Sequence, residues 1–341
     1  TIAPTGTIAQ GVGAKQINAH GEVYETKYGL TTSQRVYGTV EENVQGRGPC
    51  YLRTEGISAE QDESLLKAYL NMAPGQTLKW VESGKNPSEQ NVEIEGTEPY
   101  IVGGHTASGY WVDTERETTI HGLYAAGDVA GGCPQKYVTG ALAEGEIAAE
   151  AILEYLNGKD DDRIAAENKE EALECGGEQE LSQTAIAKKA EYESHLNASR
   201  SLMNAEQLEE AMQKIMDQYA GGISTDYRYS GMSLAKADEK IAALLPVVDT
   251  LAATDTYELM QIYELRERLI VCQAVIAHLA ARKETRWHSF GENTDYPQQS
   301  EEWMKYVNSR MENGEIKILY RDLITKENTG LNTAEKGAGE R

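Results

Sequence analysis

The chain has 341 residues, of which 32 are lysine or arginine and 55 are aspartate or glutamate, so its formal net charge is −23. Its length accommodates two domains, and its 40% hydrophobic content is ordinary for a globular protein with a buried core. The negative charge argues against nucleic acid and anionic membranes as partners, because both require cationic patches. It suits a partner with a basic face, or simply keeps the protein in solution.

The cysteines carry no metal-site signal. The four of them lie far apart without C-x-x-C spacing, at Cys50, Cys133, Cys175 and Cys272. They predict no zinc site, no iron–sulfur cluster held by this chain and no disulfide framework. No apolar run approaches the ~18 residues of a membrane-spanning helix, and no signal-peptide pattern is visible, so we expect a cytoplasmic protein. Because the chain begins at Thr1, we also expect it to be a piece of a longer protein.

The first 95 residues mix short β-like runs with turns. "GPCYLRTEG", residues 48–56, alternates apolar and polar side chains and predicts a strand. "AEQDESLLKAYLNM", residues 59–72, predicts a helix, because its apolar residues recur at helical spacing.

Residues 97–157 predict the order β, turn, β, turn, α. Ile101-Val102 precedes the pair Gly103-Gly104, and a strand over residues 123–126 precedes the pair Gly131-Gly132. A helix follows in "VTGALAEGEIAAEAILEYL", residues 138–156. Its apolar positions Leu142, Ile147, Ala151 and Leu156 fit helical periodicity only loosely, which we expect where small residues pack against a sheet.

The composition changes after residue 157. Residues 157–180 contain nine acidic and three basic residues and predict a solvated connector or an exposed, frayed helix. Beyond them the spacing predicts helices, which we expect to form a small antiparallel bundle. Their apolar faces are Leu208, Met212, Ile215, Met216 and Tyr219 in the first, and Leu265, Leu269, Cys272, Ile276 and Leu279 in the second. Glu264 and Arg268 are spaced to pair across one helical turn.

The sequence "LYAAGD" followed by glycines and a helix has a physical logic of its own. Small residues at a strand end admit a cofactor, Asp128 accepts hydrogen bonds from ribityl or sugar hydroxyls, and the helix start directs N–H groups at electron-rich atoms. In a flavin those atoms are N1 and O2. A plain βα turn with Asp128 as a helix cap explains the same residues, so the pattern alone leaves both interpretations open.

Four segments together resemble the fumarate reductase and succinate dehydrogenase flavoprotein superfamily. "LYAAGDVAGG" with "ALAEGEIAAE" is similar to its closing flavin-binding segment, and "GRGPCYLRT" to its G-R-G-x-x-Y-L-D strand. "NAHGEVYETKYG" resembles N-x-x-G-E-R-F, with Val23-Tyr24 in place of Arg-Phe. "ELRERLIVCQAVIAHLAARKETRWHSFGENTDYP" resembles the terminal helical domain with its E-S-R-G-x-H-x-x-x-D-Y-P pattern.

Three departures resemble the adenylylsulfate reductase alpha-subunit branch of that superfamily. "PYIVGGH" replaces H-Y-T-M-G-G, and "CPQKYVTGA" replaces H-G-A-N-R-L-G-G-N-S together with its substrate-binding arginine. Trp287 stands where glycine is usual. Without that arginine the segment does not suit a C4 dicarboxylate.

The resemblance implies a mixed fold of α+β and α/β character: a partial FAD-binding domain and part of a capping domain, followed by a helical-bundle domain. The implied division is capping domain 1–95, closing segment of the FAD-binding domain 96–157, acidic connector 158–180 and helical domain 181–341. The superfamily's N-terminal G-x-G-x-x-G turn and the capping-domain arginine have no counterpart that we can place here. We therefore expect this chain alone to bind FAD weakly or not at all.

The resemblance also implies a chemistry. FAD is bound non-covalently, and a beta subunit with two 4Fe–4S clusters delivers two electrons. The reduced flavin N5 attacks the sulfur of adenylylsulfate, AMP leaves, and the N5–sulfite adduct releases sulfite; the sequence does not fix the physiological direction. The implied flavin contacts are Gly103, Gly104, Ala126, Gly127, Asp128, Lys136, Tyr137, Val138 and Thr139, with His105 as the catalytic candidate and Trp287 on the substrate side.

Alternatives remain for several residues and for the whole chain. His105 is either a substrate-side group or structural, and Lys136 either lies by the flavin or is a solvated loop lysine. For Arg286, Trp287 and His288 we expect packing of the helical domain against the flavin domain in preference to catalysis, with a place at the substrate mouth still open for Trp287. The histidines without a partner pattern, His20, His121, His195 and His278, are expected at the surface or in packing. The chain as a whole is also compatible with another superfamily flavoenzyme, such as an aspartate oxidase or fumarate reductase relative, or with a non-catalytic relative.

Overall fold

The computed structural model describes residues 9, 11–24, 32–72, 74–94, 108–131, 137–157, 178–199, 203–286 and 291–325. Of residues 32–36, 137 and 178–182 it describes the backbone alone. The chain forms two compact units: Thr1–Ile101 with Asp217–Gly231 and Lys283–Ser300, and Val102–Met216 with Met232–Arg282 and Glu301–Arg341. The fold is mixed, with helices and small sheets in both units. The four-domain division expected from the sequence stays a prediction.

The first unit is built around a three-stranded antiparallel sheet. Its elements are β1 Lys15–Ile17, α1 Thr32–Val44, β2 Cys50–Arg53, α2 Ala59–Met72, α3 Pro74–Ser83, β3 Val92–Ile94, β4 Arg228–Tyr229 and β5 Glu292–Asn293. The sheet order is β1-β2-β3, with Tyr51 opposite both Ile17 and Glu93. The predicted strand and helix are confirmed as β2 and α2.

Local signals explain the bounds of α2, and its apolar face forms the core of the first unit. Ser58 Oγ accepts the N–H of Gln61 while the Gln61 side chain accepts the N–H of Ser58, which is a capping box at the helix start. Tyr69 in α2 then meets Trp80 in α3 edge to face, with ring centroids 5.2 Å apart. Both rings are fully buried, together with Leu52 on β2.

A buried polar network joins the "NAHGE" and "GRG" segments in the first unit. Asn18 donates to Glu42 at 3.1 Å, and the Arg47 guanidinium donates to both oxygens of the same carboxylate. The Arg47 hydrogen bonds, opposed by burial, hold the pKa of Glu42 below its usual value. The carboxylate of Glu42 on α1 therefore links the two segments, through a hydrogen bond from Asn18 and an ion pair with Arg47.

The second unit is largely helical. It contains α4 Tyr137–Asn157, α5 Glu178–Leu196, most of α6 Ala205–Tyr219 and of α7 Gly231–Val248, α8 Thr256–Ala281, β6 Lys305–Glu312 and β7 Glu315–Asp322. The predicted apolar faces of α6 and α8 are confirmed, with Leu208, Met212, Met216, Leu265, Leu269 and Ile276 buried. Asp255 caps α8 by accepting the N–H groups of Tyr257 and Glu258 at 2.9 Å.

Two details of the second unit differ from expectation. Arg268 does not serve Glu264 as its ion-pair partner; its guanidinium instead reaches Glu209 on α6 at 2.6 Å, because interhelical geometry outweighs the intrahelical spacing. The antiparallel hairpin β6–β7 was not predicted; it turns at Asn313-Gly314, both with positive φ. Among the described residues no helix is long and apolar enough to cross a bilayer.

Candidate functional site

The segment around "LYAAGD" is held by close contacts between backbone and backbone. Tyr110 donates its N–H to Val129 O at 2.7 Å, and Gly131 donates to Tyr110 O at 2.8 Å. A Cβ on Gly109 would lie 2.5 Å from Val129 O, and a Cβ on Gly131 would lie 2.8 Å from Tyr110 O. Gly131, the first residue of the second predicted glycine pair, therefore lets the backbone of this turn lie close to the backbone at Tyr110.

The residues before the AAGD turn form a compact set of turns instead of a regular strand. Thr118 donates to Leu123 O at 2.8 Å, and Ala125 donates to Arg116 O at 3.0 Å. Tyr124 forms only an isolated bridge with Glu117. The strand predicted over residues 123–126 is therefore reduced to this one antiparallel bridge, whose flanking hydrogen bonds are the two just described.

Gly127 places this turn directly against helix α4. The stretch Gly127–Val129 is one turn of 3₁₀-helix, and Gly127 has φ +73°, a conformation that disfavours residues with a Cβ. A Cβ there would also lie 3.2 Å from Ala141 Cβ, closer than an ordinary van der Waals contact. The turn and the helix therefore touch at a point where only hydrogen fits without a shift.

A buried carboxylate makes the second link between turn and helix. Glu144 Oε2 accepts the N–H of Gly127 at 2.8 Å, and its Oε1 lies 3.6 Å from Arg116 Nε. Glu144 is 4% exposed, and Arg116 itself donates to Asp113 O at 2.9 Å. Sequence reasoning missed Glu144, because glutamates spaced along a helix usually face solvent.

Helix α4 begins at Tyr137, one residue before the predicted start at Val138. The first N–H groups of any α-helix lack partners within the helix and carry its positive partial charge. Here the side chain of Val138 is 74% exposed, and that of Thr139 beside it is exposed as well. A helix start of this kind suits an electron-rich group.

The buried positions of α4 carry small side chains and one glutamate. Leu142, Ile147 and Leu156 are exposed, whereas Ala148 and Ala151 are buried. Ala141 and Glu144 meet the AAGD turn, and small side chains are favoured there because the turn approaches the helix closely.

The structure places some of the predicted site residues and not others. Ala126 is half-buried, Gly127 is buried and Asp128 is exposed, all within one turn next to the start of α4. Val138 and Thr139 lie in the first turn of that helix. Gly103, Gly104, His105, Lys136 and Trp287 lie outside the described residues, as does the side chain of Tyr137.

Arg286 and two of the histidines that we assigned to packing have clear structural partners. Arg286 donates through Nε and Nη2 to both oxygens of the buried Glu284 at 2.9 Å. His195 is 3% exposed, with Nδ1 2.7 Å from Leu251 O. His278 lies 2.9 Å from Ser309 Oγ, and burial lowers its pKa.

The described residues fit one wall of a flavin site and do not fit a metal centre. The start of α4, the exposed carboxylate of Asp128 in the adjoining turn, and exposed apolar side chains at Val129 and Leu142 suit a flat ring with electron-rich atoms that carries a hydroxylated chain. Among the described residues no three His, Cys, Asp or Glu side chains gather as metal ligands.

The known proteins that this chain resembles also indicate a flavoprotein. Residues 209–335 match the family described as "Fumarate reductase flavoprotein C-term". Over 328 residues the chain is 28% identical to the adenylylsulfate reductase subunit alpha of Megalodesulfovibrio gigas, covering 84% of this chain and 48% of that protein. The adenylylsulfate reductase structure from Archaeoglobus fulgidus superposes with a TM-score of 0.77 at 28% identity, over 95% of this chain and 57% of that one.

The resemblance to the adenylylsulfate reductase alpha subunit is confirmed. A structure of adenosine-5-phosphosulfate reductase with covalently bound sulfite is equally similar, with 29% identity and a TM-score of 0.77. The E. coli quinol–fumarate reductase is 17% identical with a TM-score of 0.69, which shows a shared fold. The chain spans about half the length of these adenylylsulfate reductases.

Proposed function

We propose that this chain supplies the closing part of the FAD site in a flavoprotein oxidoreductase that acts on a sulfur group. The reaction is the interconversion of adenylylsulfate and two electrons with sulfite and AMP. The observation that carries the proposal is the pairing of the Ala126–Asp128 turn with the open start of α4, in a chain that superposes on adenylylsulfate reductase over 95% of its length.

The choice of a sulfur substrate over a dicarboxylate rests on the segment that leads into α4. Residues 133–141, "CPQKYVTGA", contain Lys136 as their one basic residue and no arginine. A C4 dicarboxylate is bound best by a bidentate arginine, whereas the tetrahedral sulfate group of adenylylsulfate, a phosphate–sulfate anhydride, needs a cation and hydrogen-bond donors. The segment therefore favours the sulfur chemistry.

Each residue has a defined part in the proposed site. The N–H groups of residues 137–139 stabilise negative charge on the pyrimidine side of the flavin, and Asp128 accepts hydrogen bonds from its hydroxyl groups. Gly103 and Gly104 let the backbone approach the ring, and His105 and Trp287 face the substrate, with His105 donating to the sulfate oxygens. Non-covalently bound FAD supplies the two-electron chemistry and the nucleophile for sulfur.

We propose that another protein delivers the electrons. The four cysteines lie far apart in the sequence without C-x-x-C spacing, and the described residues contain no group of three His, Cys, Asp or Glu side chains that could hold a metal. We assign that task to an iron–sulfur beta subunit in a cytoplasmic heterodimer. The negative charge of −23 suits a partner whose docking face is basic.

The full-length gene product, purified with its partner subunit, tests the proposal. We expect bound FAD and AMP-dependent oxidation of sulfite, with no reduction of fumarate. Fumarate reduction without sulfite oxidation would overturn the substrate assignment. A flavoprotein that neither oxidises sulfite nor reduces fumarate but turns over another redox substrate would support the second candidate, an oxidoreductase of other specificity. That candidate is favoured by the 28% identity over 215 residues to an uncharacterized FAD-dependent oxidoreductase of Methanocaldococcus jannaschii.

A further inference from the structure

Glu144 is a charged residue in a place where charge is costly. It is 4% exposed, in the second turn after the start of α4, on a face otherwise formed by alanines. Burying a carboxylate is unfavourable unless hydrogen bonds and a counter-charge compensate for lost water. A second alanine or a leucine would fill this face without that cost, so the carboxylate has a specific task.

The contacts of Glu144 show what that task is. One oxygen accepts the N–H of Gly127 at 2.8 Å, and the other lies 3.6 Å from Arg116 Nε. The 21% exposure of the Arg116 side chain leaves the pair partly screened from water. Glu144 thereby links three pieces of chain: helix α4, the turn that carries Asp128, and the turn that carries Arg116.

We propose that Glu144 is a positioning residue for FAD. By holding the Gly127 amide it fixes the Ala126–Asp128 turn relative to the first turn of α4, so that the Asp128 carboxylate and the helix N–H groups act on the same flavin. Contact between Gly127 and Ala141 sets the distance of closest approach, and the Glu144 hydrogen bond sets the orientation. This inference rests on the proposed FAD site.

The test compares variants of Glu144 by the affinity of the full-length apoprotein for FAD, measured by quenching of flavin fluorescence. Glu144→Leu keeps a buried side chain but leaves the Gly127 N–H without an acceptor, and we expect FAD affinity to fall about tenfold or more. Glu144→Gln retains an acceptor oxygen and is expected to bind FAD within about threefold of wild type. Glu150→Leu, at an exposed position of the same helix, is the matched control and leaves affinity unchanged.

A second readout separates positioning from stability. Circular dichroism of the bound flavin in the visible range reports ring environment, so Glu144→Leu should change that spectrum and Glu144→Gln should restore it. If Glu144→Leu does not fold, Gly127→Ala moves the same turn with Glu144 intact and should weaken FAD binding similarly.

Each outcome bears on a different claim. Wild-type affinity for FAD in Glu144→Leu or, where that variant is unfolded, in Gly127→Ala would overturn the positioning role while leaving the FAD site intact. A variant that only lowers thermal stability and binds FAD as wild type does would also overturn it. A full-length wild-type protein that binds no FAD would overturn the proposed function itself, and this inference with it.

Discussion

The close approach of Gly127 to Ala141 predicts how much stability the protein loses when Gly127 is replaced by alanine. Replacing Gly127 by alanine forces a residue with a Cβ to adopt φ +73°, which costs about 1–2 kcal/mol. The added methyl group would lie 3.2 Å from Ala141 Cβ, and such overpacking adds about 1–2 kcal/mol. We therefore expect Gly127→Ala to lower the free energy of unfolding by about 2–4 kcal/mol.

Gly122 provides the matched control. It has φ +79°, almost the same as Gly127, but a Cβ there would meet only Tyr155 Oη at an ordinary 3.7 Å. Gly122→Ala should therefore cost only the backbone part, about 1–2 kcal/mol. The difference between the two variants isolates the steric part of the contact between turn and helix.

Urea-induced unfolding of the full-length apoprotein, followed by tryptophan fluorescence, measures both variants. The two variants are compared by the shift in urea midpoint, provided that the slope of unfolding free energy against urea concentration stays the same. Equal losses for Gly127→Ala and Gly122→Ala would show that Ala141 does not restrict the turn. A neutral Gly127→Ala would refute the whole argument, including the backbone part.

Three further predictions concern other parts of the chain. Glu42→Gln should lower the free energy of unfolding by about 1–3 kcal/mol at pH 7. Because Arg47 holds the pKa of Glu42 below 4.5, this difference should vanish as pH falls through the folded-state pKa; a constant difference from pH 7 to 3 in urea titrations would contradict the pairing. Trp80→Ala should cost about 3–5 kcal/mol, and Trp80→Phe clearly less, because the buried Trp80 Nε1 has no hydrogen-bond partner among the described residues; equal losses in thermal unfolding would refute this. Gly314→Ala should cost about 1–2 kcal/mol through its φ of +81° alone, and should speed hydrogen exchange in β6–β7 specifically; unchanged exchange would contradict it.

The sequence predicted best where the apolar residues follow one clear periodicity. Helix α2 was predicted over the residues that it occupies because its apolar residues recur at helical spacing, and the structure adds the capping pair of Ser58 and Gln61 at its start. The faces of α6 and α8 were also predictable, since each buries a stripe against neighbouring side chains. The hairpin β6–β7 was missed although Asn313-Gly314 between alternating residues is a strong hairpin signal.

The sequence predicted least well where the chain packs backbone against backbone. The order of residues 123–126 resembles a buried strand, but their pairing is limited to an isolated antiparallel bridge between Tyr124 and Glu117. The loose periodicity of α4 indicated small residues packed against a sheet, whereas the structure packs Ala141 and Glu144 against the Gly127 turn. Such positions are governed by which neighbour lies within 4 Å, and periodicity contains no information about that.

The described glycines of this region allow close approach between parts of the same chain. The neighbouring atoms belong to Val129 at Gly109, to Ala141 at Gly127 and to Tyr110 at Gly131. Their spacing cannot count as support for a flavin. The case for FAD rests instead on what these contacts position, the Asp128 turn beside the open start of α4, and Glu144 is the side chain that joins the two.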